Sequence, residues 1–390
     1  MIPYGKHNIN QGDIEAVIDV LKSDFLTQGP TVPKFETEIA EYCHSNQAVA
    51  VNSATSALHL SCIALGLSQN DIVWTSPITF VASANCALYC GASVDFVDIN
   101  PRTYNIDVHA LTLKLQKARK ENKLPKILIP VHLCGQSCEM QKIYSLCQKY
   151  GIFIIEDASH AIGGRYQNNP VGNCRYSDIT VFSFHPVKII TSGEGGVAVT
   201  QDYQLSKRMR MLRSHGITND AEDMLPRPDS EVWNYQQIDL GYNYRMTDIC
   251  AAIGLSQLQR LDAFVAERHS IAHRYDELLA DFPVTCPWQH QDSYSSYHLY
   301  PIRINSKETS TTQKQIINGL RSKGIAVNLH YIPVYKQPYY QQLNNDFITG
   351  YCPEAEQYFQ EAISLPIYPG LTPTLQDMVL KALRHFIDLS

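Results

Sequence analysis

The sequence predicts an α/β fold in which a large domain, built on a mostly parallel sheet between helices, precedes a smaller α+β domain. Short apolar runs typical of buried strands alternate with amphipathic segments from residue 47 to residue 156, which is the pattern of a parallel sheet covered by helices. After residue 248 the pattern changes to long helices with isolated strands. We therefore expect a large domain in residues 1–248, and a linking helix with a small domain in residues 249–390.

Each element follows from hydrophobic periodicity and from the residues that interrupt it. The first helix has apolar residues on one face: Ile14, Val17, Ile18 and Leu21. The predicted helices span residues 10–23, 32–43, 57–65, 80–90, 108–117, 140–150, a segment ending at 208–212, 249–261 continuing through 264–279, 312–323, 354–361 and 374–386. The predicted strands span residues 47–51, 71–75, 94–97, 127–131, 152–156, 179–184, 197–199, 296–304 and 326–329. The polar tract 217–237 is predicted to be a loop.

Composition excludes several classes of function. The formal net charge of -6 offers no basic surface for nucleic acid. No apolar run reaches the roughly 18 residues that a membrane span needs, and residues 1–7 lack the apolar core of a signal peptide, so we expect a cytoplasmic protein. The 11 cysteines lie mostly in apolar segments, which is typical of reduced thiols. Their spacing does not match a zinc site, and we expect no metal.

Lys188 lies on a short loop between the apolar runs 179–184 and 197–199. A lysine held between buried strands is in a region of low dielectric constant, which disfavours its ammonium form. The neutral amine is a nucleophile that condenses with aldehydes. Taken alone, Lys188 is better explained as a surface lysine beside a hairpin, so its functional interpretation depends on other stretches of the chain.

The stretch Ser53-Ala54-Thr55-Ser56 directly precedes a predicted helix. Free backbone N–H groups and the helix dipole favour a phosphate at such a position, although a simple N-cap would have the same residues. Ser183 lies five residues before Lys188 and could donate its hydroxyl to the same phosphate.

Three further residues fit an aldehyde cofactor that contains a pyridine ring. Asp157 ends an apolar strand, where a carboxylate could pair with a protonated ring nitrogen or cap the segment that follows. His160 could contact the ring's phenolic oxygen or the substrate, or be structural. Phe80 could stack on the ring, or belong to the core. The motifs of dinucleotide-binding and P-loop proteins are absent from the sequence.

In their order and spacing these motifs resemble the DegT/DnrJ/StrS sugar aminotransferases, which are fold type I pyridoxal-phosphate enzymes. The resemblance covers essentially the whole chain. It implies that Lys188 binds the aldehyde of pyridoxal 5'-phosphate. It also implies the other cofactor contacts: Asp157 with the ring nitrogen, Phe80 and His160 with the ring, and Ala54, Thr55 and Ser183 with the phosphate. Asn243 corresponds to an asparagine that reaches the phosphate of the neighbouring subunit, which implies a homodimer with shared active sites.

The resemblance also implies the reaction. Related dehydratases carry histidine in place of the lysine, so Lys188 implies a transaminase. The likeness within the family is to members that aminate a UDP-linked 4-keto-6-deoxy-N-acetyl hexose in pseudaminic acid biosynthesis, with glutamate as the expected donor. Seven stretches carry this likeness: residues 2–5, 26–30, 53–58, 158–161, 213–216, 297–302 and 330–333. It implies substrate contacts at Tyr4, Thr27, Ser53, His185, His330 and Tyr331.

The sequence leaves three alternatives open. The first is an aminotransferase for another nucleotide-linked keto sugar, of the 4-amino-arabinose or perosamine type. The second is a non-catalytic regulator that binds pyridoxal phosphate on the same scaffold. The third is a nucleotide-binding or structural α/β protein without the cofactor.

Overall fold

A computed structural model describes residues 1–226, 228, 230, 235–344 and 346–387. Its strands are β1 (Gln47–Val51), β2 (Ile72–Thr75), β3 (Ser93–Phe96), β4 (Ile127–Ile129), β5 (Phe153–Asp157), β6 (Arg165–Tyr166), β7 (Asn169–Pro170), β8 (Ile179–Ser183), β9 (Gly196–Thr200), β10 (Ile217–Thr218), β11 (Gln236–Gln237), β12 (Val284–Thr285), β13 (Ser293–Tyr294), β14 (Tyr300–Ile304) and β15 (Ala362–Leu365).

The α-helices are α1 (Gln11–Lys22), α2 (Thr31–Cys43), α3 (Ala54–Ala64), α4 (Ala82–Tyr89), α5 (Val108–Glu121), α6 (Met140–Tyr150), α7 (Tyr203–Leu212), α8 (Asp248–Leu258), α9 (Leu261–Leu278), α10 (Gln313–Ser322), α11 (Pro338–Leu343), α12 (Pro353–Glu361) and α13 (Pro373–Phe386). Short 3-10 helices cover Leu133–Gly135 and Val334–Lys336.

The described residues form a seven-stranded central sheet in the order β1-β9-β8-β5-β4-β2-β3. Strand β9 is antiparallel to both of its neighbours, whereas the pairs from β8 to β3 are all parallel. This arrangement confirms the predicted mostly parallel sheet. Because the carboxyl ends of the parallel strands lie at one edge, ligands of such sheets bind there.

Helix α3 begins three residues earlier than the sequence predicted. The side chain of Ser53, rather than a later hydroxyl, caps the helix by accepting a hydrogen bond from the backbone N–H of Ser56 at 3.2 Å. Ala54 and Thr55 are therefore in the first helical turn, where backbone N–H groups have no partner within the helix. This shift strengthens the predicted anion site.

Helix α1 forms where it was predicted, but the face expected to be buried is exposed. Ile14, Ile18 and Leu21 are 46%, 38% and 56% exposed. The helix packs on α8 through Asp13, which accepts hydrogen bonds from Ser256 and Gln257 at 2.6 and 2.7 Å. Asp13 and Val20 are the buried residues of α1, so a polar contact as well as apolar burial holds α1 to this chain.

The predicted helix over residues 249–279 is divided in two, because Arg260 leaves helical geometry between α8 and α9. Helix α8 and the start of α9 pack in the core beside the large sheet. The rest of α9 packs with the C-terminal elements around the three-stranded antiparallel sheet β12-β14-β15. The change from one core to the other therefore occurs within α9.

The other differences concern short elements, among them helix α11, which was not predicted. Residues 326–329 do not form the predicted strand and instead make a single bridge between Asn328 and Ser364, while β15 was not predicted. The predicted strand over 296–304 begins only at Tyr300. The tract 217–237 is not wholly a loop, because β10 and β11 pair within it; its residues 227, 229 and 231–234 lie outside the described residues.

Candidate active site

A cavity of about 510 Å³ lies where the loops after the parallel strands meet the C-terminal part of the chain. It contains most of the residues predicted for the site. Its walls consist of Tyr4, Ser53, Ala54, Thr55, Leu58, Thr79, Phe80, Val81, Ala82, Val131, Asp157, Ser159, His160, Ser183, His185, Val187, Lys188, Glu194, His298, Asn328, Leu329, His330, Tyr331, Ile332 and Gln337. This volume lies within the usual range for small-molecule sites.

The start of α3 forms an anion-binding cradle at one end of the cavity. The backbone N–H groups of Ala54 and Thr55 belong to the first turn, where the helix dipole favours negative charge. Gly196 pairs with Ser183 across β8 and β9, and a Cβ atom on Gly196 would lie only 2.5 Å from the carbonyl carbon of Ser53. Glycine therefore allows β9 to pack against the cradle. Because Ser183 pairs with Gly196, its hydroxyl lies at the same end of the cavity.

Lys188 lies on the loop between β8 and β9, where its backbone N–H donates to His185 O at 2.9 Å. The residue is half-buried and faces the cavity. Burial lowers the pKa of Lys188 from 10.5 to about 8, against the opposing effect of the Asp157 carboxylate and Cys134. A substantial fraction of the amine is therefore uncharged near neutral pH, as a nucleophile requires.

Asp157 ends β5 with its side chain toward the cavity. Its Oδ2 accepts a hydrogen bond from Ser83 Oγ at 2.6 Å, and its Oδ1 accepts one from the Ser159 backbone N–H at 3.1 Å. The preceding residue, Glu156, is buried and bonded at 2.6 Å to His132, which does not line the cavity. The alternation of side chains along a strand thus separates the two neighbouring carboxylates.

Three buried histidines, His160, His298 and His330, surround the opposite part of the cavity. Burial and the positive charge of Lys188 hold the pKa of His160 well below its usual value. Burial and the neighbouring His160 do the same to the pKa of His298, and burial lowers the pKa of His330 to about 3. All three rings are neutral near neutral pH, so each can donate one hydrogen bond and accept another.

The hydrogen bonds of His160 determine its tautomer. Its Nδ1 accepts a hydrogen bond from the Cys134 backbone N–H at 3.3 Å, so its proton is on Nε2. The Nε2 atom is 3.2 Å from the Tyr331 hydroxyl and donates to it. Burial raises the pKa of Tyr331, so the phenol keeps its proton. That proton remains available to a ligand.

The other predicted residues of the cavity lie near its mouth. The Phe80 ring is 59% exposed, with its centroid 6.3 Å from that of Tyr331. The Tyr4 ring is 5.3 Å from His330, so the N-terminal segment reaches the cavity. His185 Nε2 lies 3.9 Å from Glu194 Oε1, and both side chains are largely exposed. These positions leave the ring of Phe80 open to a flat ligand.

Two predicted residues do not line the cavity of their own chain. Thr27 is exposed and makes an antiparallel bridge to Thr247. Asn243 is exposed and bridges Ser214. The prediction for Asn243 places it in the neighbouring subunit's site, which a single chain does not test, and Thr27 has no cavity contact within this chain.

The sequence did not point to Ser83, His298 or Glu194. Ser83 is an ordinary polar residue of α4, and only the fold brings it to Asp157. His298 lies in the stretch 297–302 that carries part of the family resemblance, which was a signal that it could be functional. Glu194 lies in the glycine-rich turn after Lys188, and this position was a similar signal.

Neither a metal centre nor a membrane segment is found in the described part of the chain. No three His, Cys, Asp or Glu side chains there are placed to hold a metal ion. None of the helices in the same residues combines the length and hydropathy needed to cross a membrane. All 11 cysteines are described, and none forms a disulfide.

The donor set fits pyridoxal phosphate. The cradle and Ser183 suit a phosphate, Lys188 suits an aldehyde, and Asp157 suits a protonated ring nitrogen. Phe80 offers an open aromatic face. The fold and site therefore define the class of α/β enzymes that bind an aldehyde cofactor through a lysine.

Comparisons with known proteins extend this result. The model of the DegT/DnrJ/EryC1/StrS aminotransferase family matches residues 7–384. The chain is 37% identical over 389 residues to UDP-4-amino-4,6-dideoxy-N-acetyl-beta-L-altrosamine transaminase of Campylobacter jejuni, covering 100% of this chain and 96% of the relative. Helicobacter pylori PseC, an aminotransferase involved in the biosynthesis of pseudoaminic acid, matches with a TM-score of 0.88 and 34% identity over 99% of both chains. Streptococcus pneumoniae Spr1654 in its PMP form matches with a TM-score of 0.88 and 29% identity over 99% of both chains.

The chain belongs to the DegT/DnrJ/EryC1/StrS aminotransferase family. It is a sugar aminotransferase whose cofactor is pyridoxal 5'-phosphate. The predicted family, fold class, cofactor and enzyme class are thereby confirmed. The residue roles remain predictions, consistent with the cavity described above.

Proposed function

We propose that this enzyme transfers an amino group to C4 of a UDP-linked 4-keto-6-deoxy-N-acetyl hexose, in pseudaminic acid biosynthesis. The observation that carries the proposal is similarity over the whole chain to both the Campylobacter jejuni transaminase and Helicobacter pylori PseC. Glutamate is the proposed donor. The cytoplasm, expected from the sequence, remains the predicted location.

The chain's own residues have distinct roles in this reaction. Pyridoxal phosphate, when bound, supplies a ring that withdraws electrons from the carbon that loses or gains a proton. Asp157 keeps the ring nitrogen protonated by accepting its hydrogen bond. Lys188 Nζ would accept the proton that the donor's Cα loses and would return a proton to C4 of the sugar as that carbon gains its amino group. The start of α3 and Ser183 anchor the phosphate.

The chemistry of the cavity walls supports a sugar as the acceptor. Apart from the groups assigned to the cofactor, the walls carry neutral imidazoles and phenols that can make hydrogen bonds, among them His330 and Tyr331. Such groups suit hydroxyl and carbonyl oxygens. Among the described residues, the walls include no arginine. Arginine is the side chain best suited to bidentate binding of a carboxylate. The described walls of one chain therefore offer a carboxylate of the amino donor no cation beyond Lys188.

A homodimer is part of the proposal, and two observations support it. The carboxylates of glutamate need a cation beyond Lys188, which a second subunit could supply. In addition, an apolar stripe remains exposed at the N-terminal end of the chain, formed by Ile14, Ile18, Leu21, Phe25 and Leu26. Contiguous exposed apolar surface of this kind is typical of protein interfaces.

The substrate is tested by two half-reactions followed by absorbance. Glutamate first converts the loaded enzyme to its amine form, which removes the visible band. UDP- and GDP-linked 4-keto sugars are then added singly, and we expect the band to return with the UDP-linked N-acetyl 4-keto sugar. If the visible band returned only with a different keto sugar, the enzyme would belong to another pathway. If glutamate left the visible band unchanged while another amino acid removed it, that amino acid would be the donor.

Lys188→Ala is the matched variant for this assay. It should bind the cofactor without a covalent link and lose roughly 10²- to 10⁴-fold or more in rate, the range for removal of a general acid–base. Ordinary turnover in this variant would refute the role given to Lys188.

The sharing of active sites is tested with two inactive variants, Lys188→Ala and Asn243→Ala. If Asn243 acts across the interface, a mixed dimer contains one site in which both residues are intact. Exchange of equal amounts should then restore about a quarter of wild-type activity. No recovery, despite mixed dimers detected by native mass spectrometry, would show that Asn243 acts within its own chain, and full activity of Asn243→Ala alone would show that Asn243 has no role.

A further inference from the structure

A chain of buried hydroxyl groups ends on Asp157. Ser83 Oγ lies 2.6 Å from Asp157 Oδ2, and Thr79 Oγ1 lies 2.6 Å from Ser83 Oγ. Ser83 is 0% exposed and Thr79 is 3% exposed. Both residues belong to the segment at the start of α4, which also carries Phe80. The segment therefore approaches the cofactor site with two polar groups as well as an aromatic ring.

The direction of these hydrogen bonds is fixed by chemistry. An ionised carboxylate only accepts, so the Ser83 hydroxyl donates to Asp157. A serine hydroxyl has one proton, so the Thr79 hydroxyl must donate to Ser83. The alternative acceptor for Ser83, the carbonyl oxygen of Phe80, is 3.3 Å away and forms the weaker bond. Successive donors in a buried chain polarise one another.

We propose that Ser83 is a positioning residue that holds the Asp157 carboxylate in the orientation required by the cofactor's ring nitrogen, and that Thr79 holds Ser83. The proposal rests on the proposed function, in which Asp157 accepts the ring N–H. Among the described residues, the carboxylate accepts one other hydrogen bond, the longer one from the Ser159 backbone N–H to Oδ1 at 3.1 Å. Without Ser83, the carboxylate loses its shorter bond and can rotate away from the ring.

A purely structural role would be the alternative. Ser83 does not cap a helix, because α4 has no side-chain cap, and its Oγ contacts are Thr79, Asp157 and the nearby Phe80 carbonyl. The two roles differ in what they change. A structural serine would affect unfolding, whereas a positioning serine would affect cofactor affinity and do so only when Asp157 is present.

The test measures the equilibrium dissociation of pyridoxal phosphate, followed by the visible band, in Ser83→Ala and in Thr79→Val. We expect roughly tenfold weaker binding in Ser83→Ala and a smaller loss, roughly two- to threefold, in Thr79→Val. Ser61→Ala is the matched control, since Ser61 is also 0% exposed but donates to Ala57 O at 2.7 Å within α3. It should leave the dissociation constant unchanged.

The same substitution in an Asp157→Ala background decides between the two roles, because a double-mutant cycle isolates their coupling. We expect Ser83→Ala to have no further effect on cofactor binding there. An equal loss in both backgrounds, or wild-type affinity in Ser83→Ala, would overturn the proposal. If Ser83→Ala does not fold, Ser83→Cys can replace it, because a thiol is a weak donor of similar size. Ser83→Cys should weaken cofactor binding, whereas Ser61→Cys should not. Equal effects of Ser83→Cys and Ser61→Cys would also overturn the proposal.

These measurements involve no sugar. Transfer to a different keto sugar would therefore refute the proposed substrate and leave the role of Ser83 intact. Conversely, a Ser83→Ala variant that binds cofactor normally would refute that role while the substrate assignment stands.

Discussion

Lys188 of the cofactor-free enzyme should lose its proton near pH 8, because burial disfavours the ammonium form. The expected gain in the uncharged fraction of the amine follows from a pKa of about 8, compared with 10.5 for an ordinary lysine. At pH 7 about 10% of the Lys188 side chains are uncharged, whereas about 0.03% of ordinary lysines are, a difference of about 300-fold. Since the folded pKa is lowered, the neutral amine appears as pH rises through 8, well before an ordinary lysine titrates.

Competitive acetylation measures this titration directly. Cofactor-free enzyme is treated with a trace of acetic anhydride between pH 6 and 11, and modification of Lys188 is quantified by peptide mass spectrometry. Lys117, whose side chain is 76% exposed, provides the reference in the same digest. We expect the reactivity of Lys188 to reach its plateau at a lower pH than that of Lys117.

Asp157→Asn sharpens the test. The Asp157 carboxylate raises the pKa of Lys188, so its neutralisation should move the midpoint further below 8. Two results would refute the reasoning: a Lys188 midpoint equal to that of the exposed reference, or a midpoint that rises in Asp157→Asn. The first would show that the amine is well solvated, and the second that the two charges do not interact as the structure places them.

Three further predictions concern the surroundings of the site. Gly196→Ala places a Cβ atom against the start of α3, so it should destabilise the enzyme by about 1–3 kcal/mol and weaken cofactor binding, as measured by thermal unfolding and cofactor titration. Ser53→Ala and Thr312→Ala each remove an N-cap and should each lower the free energy of unfolding by about 1 kcal/mol, but only Ser53→Ala should weaken cofactor binding. Asp248→Ala should lower the free energy of unfolding in chemical denaturation more than Asp202→Ala does. Both carboxylates accept hydrogen bonds from two backbone N–H groups, but only Asp248 is buried. Equal losses of stability in the two variants would contradict this expectation.

The central sheet was predictable because its strands and helices have strong periodic patterns. The strand Gln47–Val51 and the helix Met140–Tyr150 match their predicted bounds at both ends. The position of Asp157 at the carboxyl end of a strand was also predictable. The strand pattern does not show whether Glu156 or Asp157 faces the cavity, because β5 is buried over four consecutive residues and lacks an alternation of polar and apolar residues. The choice of Asp157 rested on its place at the strand end and on the family resemblance.

The errors have physical causes. Periodicity in α1 correctly indicated an apolar face, but it does not specify what covers that face. In the described part of this chain Ile14, Ile18 and Leu21 remain partly exposed, and a second copy covers them in our proposal. Ser83 was missed for a different reason: its partner Asp157 is 74 residues away, and a long-range contact leaves no local pattern. The cofactor residues, in contrast, formed a recognisable order along the chain.

Because the three cavity histidines are neutral, Lys188 can be the group that accepts and donates the protons of this reaction. The pKa of His330 is about 3 and that of Tyr331 is raised, so among these three cavity groups Lys188, with a pKa of about 8, is the one that exchanges a proton near neutral pH. Burial, with the Lys188 charge as a further cause, holds the pKa of each histidine low, so these rings do not compete for the proton. The rings are left to hold the substrate by hydrogen bonds, and a proton released from a ligand carbon is directed to Lys188.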